Sequence, residues 1–274
     1  MPVKKHQTYP KVLDIQQSLD YILEYDSSVI RYGDGEMDIM MGHGIPYQDY
    51  DEKLAAQLRS IIQLESSPEL LICLSDVFEG LERYNIEAVN FWKIHLEQYK
   101  DAYHRLCTAP FYGSTFISRP YMDLKDKSDS VAHFKKLKKL WDKRDILIVE
   151  GENTRSGVGN DLFDNAQSVE RIICPSRNAY RKVQAIQEAV EKYADGKLVL
   201  LMLGPTAKVL AYHLSKKSIQ AIDLGHIDSE YEWFKMGATS KVKFSHKHTA
   251  EHNFDQEIQL VEDEIYNKQV VVRI

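Results

Sequence analysis

A chain of 274 residues, 43% hydrophobic and 28% charged, can bury a sizeable core, and its formal charge of −6 argues against a general nucleic-acid binder, which carries a basic excess. No apolar run approaches the roughly 18 to 20 residues a spanning helix needs, and Lys4 and Lys5 are followed by no apolar stretch of the kind a secretory signal carries. Three widely spaced cysteines, Cys73, Cys107 and Cys174, read as small core residues of a reduced compartment, which points to the cytoplasm.

In chain order, residues 11–26 place Val12, Ile15, Leu19, Ile22 and Leu23 on one face of a helix. Strand-like runs follow at SVIRYG (28–33) and LLICLS (70–75). Residues 81–142, rich in Tyr and Lys, read as a helical elaboration of a single domain spanning 1–274. Further runs lie at ILIVEG (146–151), RIICP (171–175), LVLLMLG (198–204) and IQAIDLG (219–225), with helical patterns at 179–194 and 206–216. A helix over 255–267 and a final strand, QVVVRI, close the chain. The runs are continuously apolar rather than alternating, as strands buried on both faces are. Alternation with helices predicts an α/β fold with a mostly parallel central sheet, whose ligands bind beyond the carboxyl ends of the strands.

Polar motifs fall just past those strands. Asp34-Gly35-Glu36 follows SVIRYG; in an extended segment alternate side chains point the same way, so Asp34 and Glu36 would present two carboxylates to one Mg²⁺ or Mn²⁺, with Asp38 as a third. Gly33 and Gly35 would let a ligand approach the backbone. Asp-Gly is also an ordinary turn dipeptide. In GENTRSGVGNDLF (151–163), Arg155 could bind phosphate within a glycine-rich nest, or the segment could be a plain connection. In PSRNAY (175–180), Ser176 or Asn178 could cap the next helix, or Arg177 or Asn178 could face a nucleotide. LGPTA (203–207) runs a strand into a helix whose start, at Gly204 and Thr206, suits phosphate; a tight turn without ligand reads equally well. DLGHIDSEYEW (223–233) crowds Asp223, His226, Asp228, Glu230 and Glu232, a source of a general base, a metal ligand or merely a charged loop. HKHTAEH (246–252) holds three histidines and Glu251 but lacks the HExxH spacing of a zinc protease, so a solvated loop is the default.

Read together, RYGDGE, GENTRSGVGNDLF, IICPSRNAY, LGPTAKVLAY and AIDLGHIDSEYEWF resemble the GT-D-fold glycosyltransferase family, first catalogued as a domain of unknown function, over roughly residues 10–255. The family is similar to the glucosyltransferases that glycosylate streptococcal serine-rich adhesins. The resemblance implies a Rossmann-like fold of GT-D type, a UDP-sugar donor, and Mn²⁺ or Mg²⁺ held by a D-x-E motif carried here by Asp34 and Glu36. It implies transfer of a hexose, glucose, to a sugar already on a glycosylated protein. Arg31, Gly33, Arg155, Asn178, Gly204, Thr206 and His226 then become donor-site candidates, and Asp228, Glu230 and Glu251 candidate bases alongside the catalytic Asp34 and Glu36. The same carboxylates would equally serve a metal-dependent phosphohydrolase or nucleotidyl enzyme, and the same cleft a non-catalytic nucleotide-binding module.

Overall fold

The computed structural model describes residues 9–251, 257–259 and 261–274. Among them, strands β1 (Ser28–Tyr32), β2 (Leu70–Leu74), β3 (Gly113–Ser114), β4 (Asp145–Gly151), β5 (Ser168–Cys174), β6 (Leu198–Met202), β7 (Ala221–Asp223) and β8 (Val270–Arg273) form one sheet in the order β3-β2-β1-β7-β6-β4-β5-β8. Every pairing between them is parallel, so the expected α/β architecture is present with a wholly parallel sheet.

Alternation across the sheet is what made the strands read as unbroken apolar runs. Val29, Leu71, Ile146, Ile148 and Leu200 point into one core; their neighbours Ile30, Ile72, Leu147, Val149 and Leu201 point into the other. Helices α1 (Ile15–Tyr25), α5 (Ser130–Leu137) and α8 (Ile227–Met236) cover the first face, and α3 (Glu52–Ile62), α6 (Val183–Tyr193) and α7 (Pro205–Ser215) cover the second. Helix α1 starts with a reciprocal cap: Gln17 N donates to Asp14 Oδ1 at 2.7 Å and Asp14 N to Gln17 Oε1 at 3.1 Å. Helix α4 (Ile86–Leu106) contributes to both cores. Its Ala88 and Trp92 belong to the first core, and its Tyr99, Ala102 and Leu106 to the second.

Three expectations change. Residues 34–36 are not extended but open helix α2 (Asp34–Met40), with Gly33 at its N-cap. The 81–142 region is helical at α4 and α5 but also supplies β3, whose two residues are too short to leave a periodic signal. The last helix, α9 (Glu264–Gln269), is shorter than 255–267: Tyr266 N donates to Asp263 Oδ1 at 2.9 Å, so the cap fixes its start late. Residues 255, 256 and 260 lie outside the described residues. No helix among the described residues is long and apolar enough to cross a membrane, and all three cysteines are free and buried, as expected.

A buried ion pair ties the last helix to the sheet. Glu150 on β4 and Arg171 on β5 meet at 2.6 Å with both side chains sealed from water. Ser156 N donates to the second Glu150 oxygen at 2.7 Å, and Arg171 donates to Ser156 O at 2.9 Å and to Gln269 Oε1 at 2.7 Å. Removing one member of such a pair leaves the other charge buried and uncompensated. Glu150→Leu should therefore lower unfolding free energy in urea by about 3–5 kcal/mol, and adding Arg171→Met should recover part of it. A single variant as stable as wild type would contradict this account.

Candidate active site

Where β6 meets β4, the chain leaves β6 toward β7 and leaves β4 toward β5. The diverging connections open a crevice at the carboxyl ends of the strands. A cavity of about 630 Å³ occupies it, inside the range of roughly 300–1,000 Å³ typical of small-molecule sites. Among the expected residues, Arg31, Gly33, Asp34, Glu36, Gly204, His226 and Glu251 line it.

Four buried charges brace its floor. Lys208, from α7, contacts Glu36 Oε1 at 2.9 Å and Asp223 Oδ2 at 3.0 Å. Arg31, from β1, contacts Asp223 Oδ1 at 3.4 Å and donates through Nε to the Asp223 carbonyl at 2.7 Å. Its other arm donates to Thr115 O at 3.0 Å and Ser118 Oγ at 2.5 Å. The second Glu36 oxygen accepts from Gly33 N at 2.8 Å, closing the first turn of α2. Two cations and two anions thus neutralise one another. Gly225 makes room for this: a Cβ there would lie 2.1 Å from Arg31 Nη2, and its φ of +52° already favours glycine. Gly204, with φ +50°, presents bare backbone to the cavity at the start of α7, where Pro205 takes the first helical position as read from the sequence.

Asp34 stands apart. It opens toward the cavity, and apart from its own backbone N–H its carboxylate has no hydrogen-bond or ion-pair partner among the described residues. Burial of its surroundings and the neighbouring Glu36 carboxylate push it up to about 6, against the pull of Arg119. Asp38 accepts a short hydrogen bond from Tyr99. On the far side, Arg119 contacts Glu251 at 2.7 Å and Asp123 at 3.0 Å, and Lys241 also pairs with Glu251. Those cations hold Glu251 well below the usual carboxylate range. His226 packs against His248 and Tyr47, with ring centroids 5.2 Å and 6.0 Å away; burial and the second imidazole hold it well below its ordinary value, hence neutral.

The sequence model of the glycosyltransferase GT-D fold matches residues 29–252. The chain belongs to the GT-D-fold glycosyltransferase family. A solved structure described as a new glycosyltransferase from Streptococcus sanguinis is 60% identical and superposes with a TM-score of 0.96, covering 97% of this chain and 99% of that one. Another, described as the domain of unknown function 1792 with a distinct glycosyltransferase fold, is 56% identical with a TM-score of 0.96 and covers 98% and 97%. A probable glycosyl transferase of Streptococcus gordonii is 61% identical over 96% of this chain. The glycosyltransferase GlyD of Streptococcus pneumoniae is 57% identical over the same share. The chain spans 39% and 32% of the length of these two curated relatives.

Within this GT-D domain, four expected site residues lie away from the cavity. Arg155, at φ +46°, turns its guanidinium onto the Tyr266 ring, 4.7 Å from the centroid, so it braces α9 rather than facing a phosphate. Asn178 does not cap the following turn with its side chain; it accepts from Asp49 N at 2.7 Å and donates to Asp49 Oδ2 at 2.8 Å, pinning the 45–49 loop that roofs the cavity. Thr206 is fully buried and Gly204 occupies the cap position instead. Asp228 is consumed by Lys247 at 2.8 Å, Gly157 N at 2.7 Å and Asn160 at 2.9 Å, which removes it as a base. His252 lies outside the described residues. Among those described, no three His, Cys, Asp or Glu side chains converge as a ready metal cluster. Sequence reading missed Lys208 and Arg119. A lysine inside the apolar helix of LGPTAKVLAY was the available signal for the first; nothing local marked the second.

Glu230 also sits behind the cavity, 1% exposed. One of its oxygens accepts from Tyr121 N at 2.8 Å and Met122 N at 2.7 Å, and burial pushes the carboxyl up to about 7. A folded-state value above the unfolded one means that the native state holds the extra proton between pH 4.5 and about 7. Stability from this group is therefore lost as pH rises through that window, by roughly 3 kcal/mol in all. Glu230→Gln keeps an oxygen for both N–H groups, so urea titrations should show it gaining on wild type between pH 5 and 8. A pH-independent difference would refute the assignment.

Two glycines test the floor. Gly225→Ala should destabilise by about 1–3 kcal/mol through its backbone alone, plus the displacement of Arg31. Gly159→Ala, at φ +83° with nothing within 4 Å, bears only the backbone part. Equal losses in thermal melts would show that Arg31 does not depend on Gly225.

Proposed function

We propose that this chain transfers a hexose, glucose, from a UDP-sugar to a hydroxyl of a sugar carried by a glycosylated protein, with Mn²⁺ or Mg²⁺ at Asp34 and Glu36. Asp34 carries the reading: an acid with no side-chain partner among the described residues, raised to about 6 beside a second carboxylate, at the mouth of a cavity whose floor charges are paired. The names of the streptococcal relatives support glycosyl transfer, and the free, buried cysteines suit a cytoplasmic enzyme. We treat residues 1–274 as one glycosyltransferase domain in which 81–142 supplies the acceptor side.

The donor set fits a hard cation in an unequal way. Asp34 is uncommitted, whereas both Glu36 oxygens already accept, from Lys208 and from Gly33 N. Mg²⁺ in particular is commonly held by one or two carboxylates and completed by substrate phosphates and water. A bound cation would neutralise charge on the departing diphosphate. The chain's own part is to hold that diphosphate: the exposed backbone at Gly204 and the start of α7 face the cavity, where helix N–H groups and dipole favour an anion. Lys208 keeps Glu36 in place from the same helix. Neutral His226 can hydrogen-bond without adding charge. Glu251, anionic and paired with Arg119, is a weak base, and catalysis then leans on stabilising the leaving group.

The unequal roles give an unequal test. UDP titrated calorimetrically into wild type should bind at least about ten-fold more weakly in EDTA than with Mn²⁺, a difference near 1.4 kcal/mol. Asp34→Asn should erase that difference and most transfer from UDP-glucose, while melting no lower than wild type without ligand, because a repulsion is relieved. Glu36→Gln should lose transfer and melt lower, since Lys208 loses an ion-pair partner. Equal binding and transfer in EDTA would end the metal reading; full activity in both variants would move the site elsewhere.

A further inference from the structure

The cavity has two unlike walls. The ends of β4, β5 and β6, with the 45–48 loop, form one, made largely of backbone and small polar groups such as Gly151 and Ser176. Helix α4 forms the other, through Glu87, Ala88, Phe91 and Trp92. Phe91 is 46% exposed, a large apolar ring left open to water at the cavity mouth. It is not loose. Buried Trp92 meets it edge-on at 5.2 Å and 82°, and buried His95 stacks on it at 5.8 Å and 18°. One turn earlier, Glu87 is exposed and lines the same wall without a partner among the described residues. Across the wall, the cations Arg119 and Lys241 are both engaged by Glu251.

That combination discriminates between the two substrates of a transfer reaction. A diphosphate gains nothing beside Glu87. A pyranose ring presents one face of weakly positive C–H groups, which an aromatic face with its negative quadrupole attracts, and a rim of hydroxyls that an anionic acceptor binds strongly. We propose that α4 holds the acceptor: a pyranose ring of the acceptor saccharide stacks on Phe91, with Glu87 accepting from its hydroxyls. This rests on the reading of the site as a sugar-to-sugar transferase and assigns its acceptor half. Glu87 and Phe91, four residues apart, share one face of the helix, and Ala88 lines the cavity beside them.

Methyl glycosides of glucose, galactose and N-acetylglucosamine, added to the protein without UDP, are suitable probes by saturation-transfer NMR. At least one should receive saturation through its ring C–H protons. Phe91→Ala should weaken that binding about ten-fold or more. Phe91→Tyr, which keeps the ring, should restore it, and Glu87→Gln should weaken it without abolishing the ring contacts. Ile94→Ala, a 70% exposed position of α4 that does not line the cavity, serves as the control and should match wild type. UDP affinity, set by the opposite wall, should stay within about two-fold in the Phe91 variants. No contact to any glycoside in wild type, or undiminished binding in Phe91→Ala, overturns the assignment. A parallel UDP titration separates the two ideas: wild type that binds glycoside but not UDP sinks the donor reading alone.

Discussion

The site depends on Asp223 being paired twice. Its carboxylate sits at the end of a three-residue strand with no exposure, and it is tolerable there because Arg31 approaches from β1 and Lys208 from α7. Each cation then has a second task. Arg31 reaches on to the Thr115 carbonyl and Ser118, fixing the segment after β3; Lys208 reaches on to Glu36, fixing the start of α2. A single buried anion therefore sets the relative positions of four segments that line the cavity. Breaking one contact would strand a charge in a low-dielectric interior, which makes the arrangement stiff. Against this neutral, stiff floor stands the carboxylate of Asp34, which has no side-chain partner among the described residues.

The strands were the legible part of the sequence because burial on both faces writes itself as an unbroken apolar run, as in LLICLS and LVLLMLG. The polar motifs were legible as to place: they follow strands, and Gly33, Asp34, Glu36, Gly204 and His226 do gather at one cavity. Their conformations were not. Asp34 and Glu36 looked like alternate residues of an extended segment, yet Glu36 is the third residue of a helix and folds back onto Gly33 N. Both carboxylates reach the cavity, but by helical geometry, and with one of them already bound to a lysine.

Arg155 and Lys208 show why the remainder was hidden. An arginine among glycines resembles an anion site, and only the late arrival of Tyr266 from α9 turns it inward. A lysine one turn into an apolar helix resembles a surface residue with a greasy stem, and only Glu36 and Asp223, remote in sequence, make it an internal counterion. In each case the deciding partner lies across the fold, beyond the reach of local pattern. Arg119 was silent for the same reason, since Glu251 meets it from the far end of the chain.

Strand β7 has a consequence for the order of assembly. It pairs with β1 on one side and β6 on the other, so it is the seam between a block built from β1, β2 and β3 and a block built from β4, β5 and β6. Each block joins strands that follow one another in sequence. The seam does not: Arg31 waits for Asp223 across 192 positions. A ribosome delivers β1 early and β7 late, so the inner edges of β1 and β6 have no β7 to pair with until Ala221–Asp223 emerges. The cavity floor and the joint between the blocks are the same residues, and a chain that has not closed its sheet has no site to load.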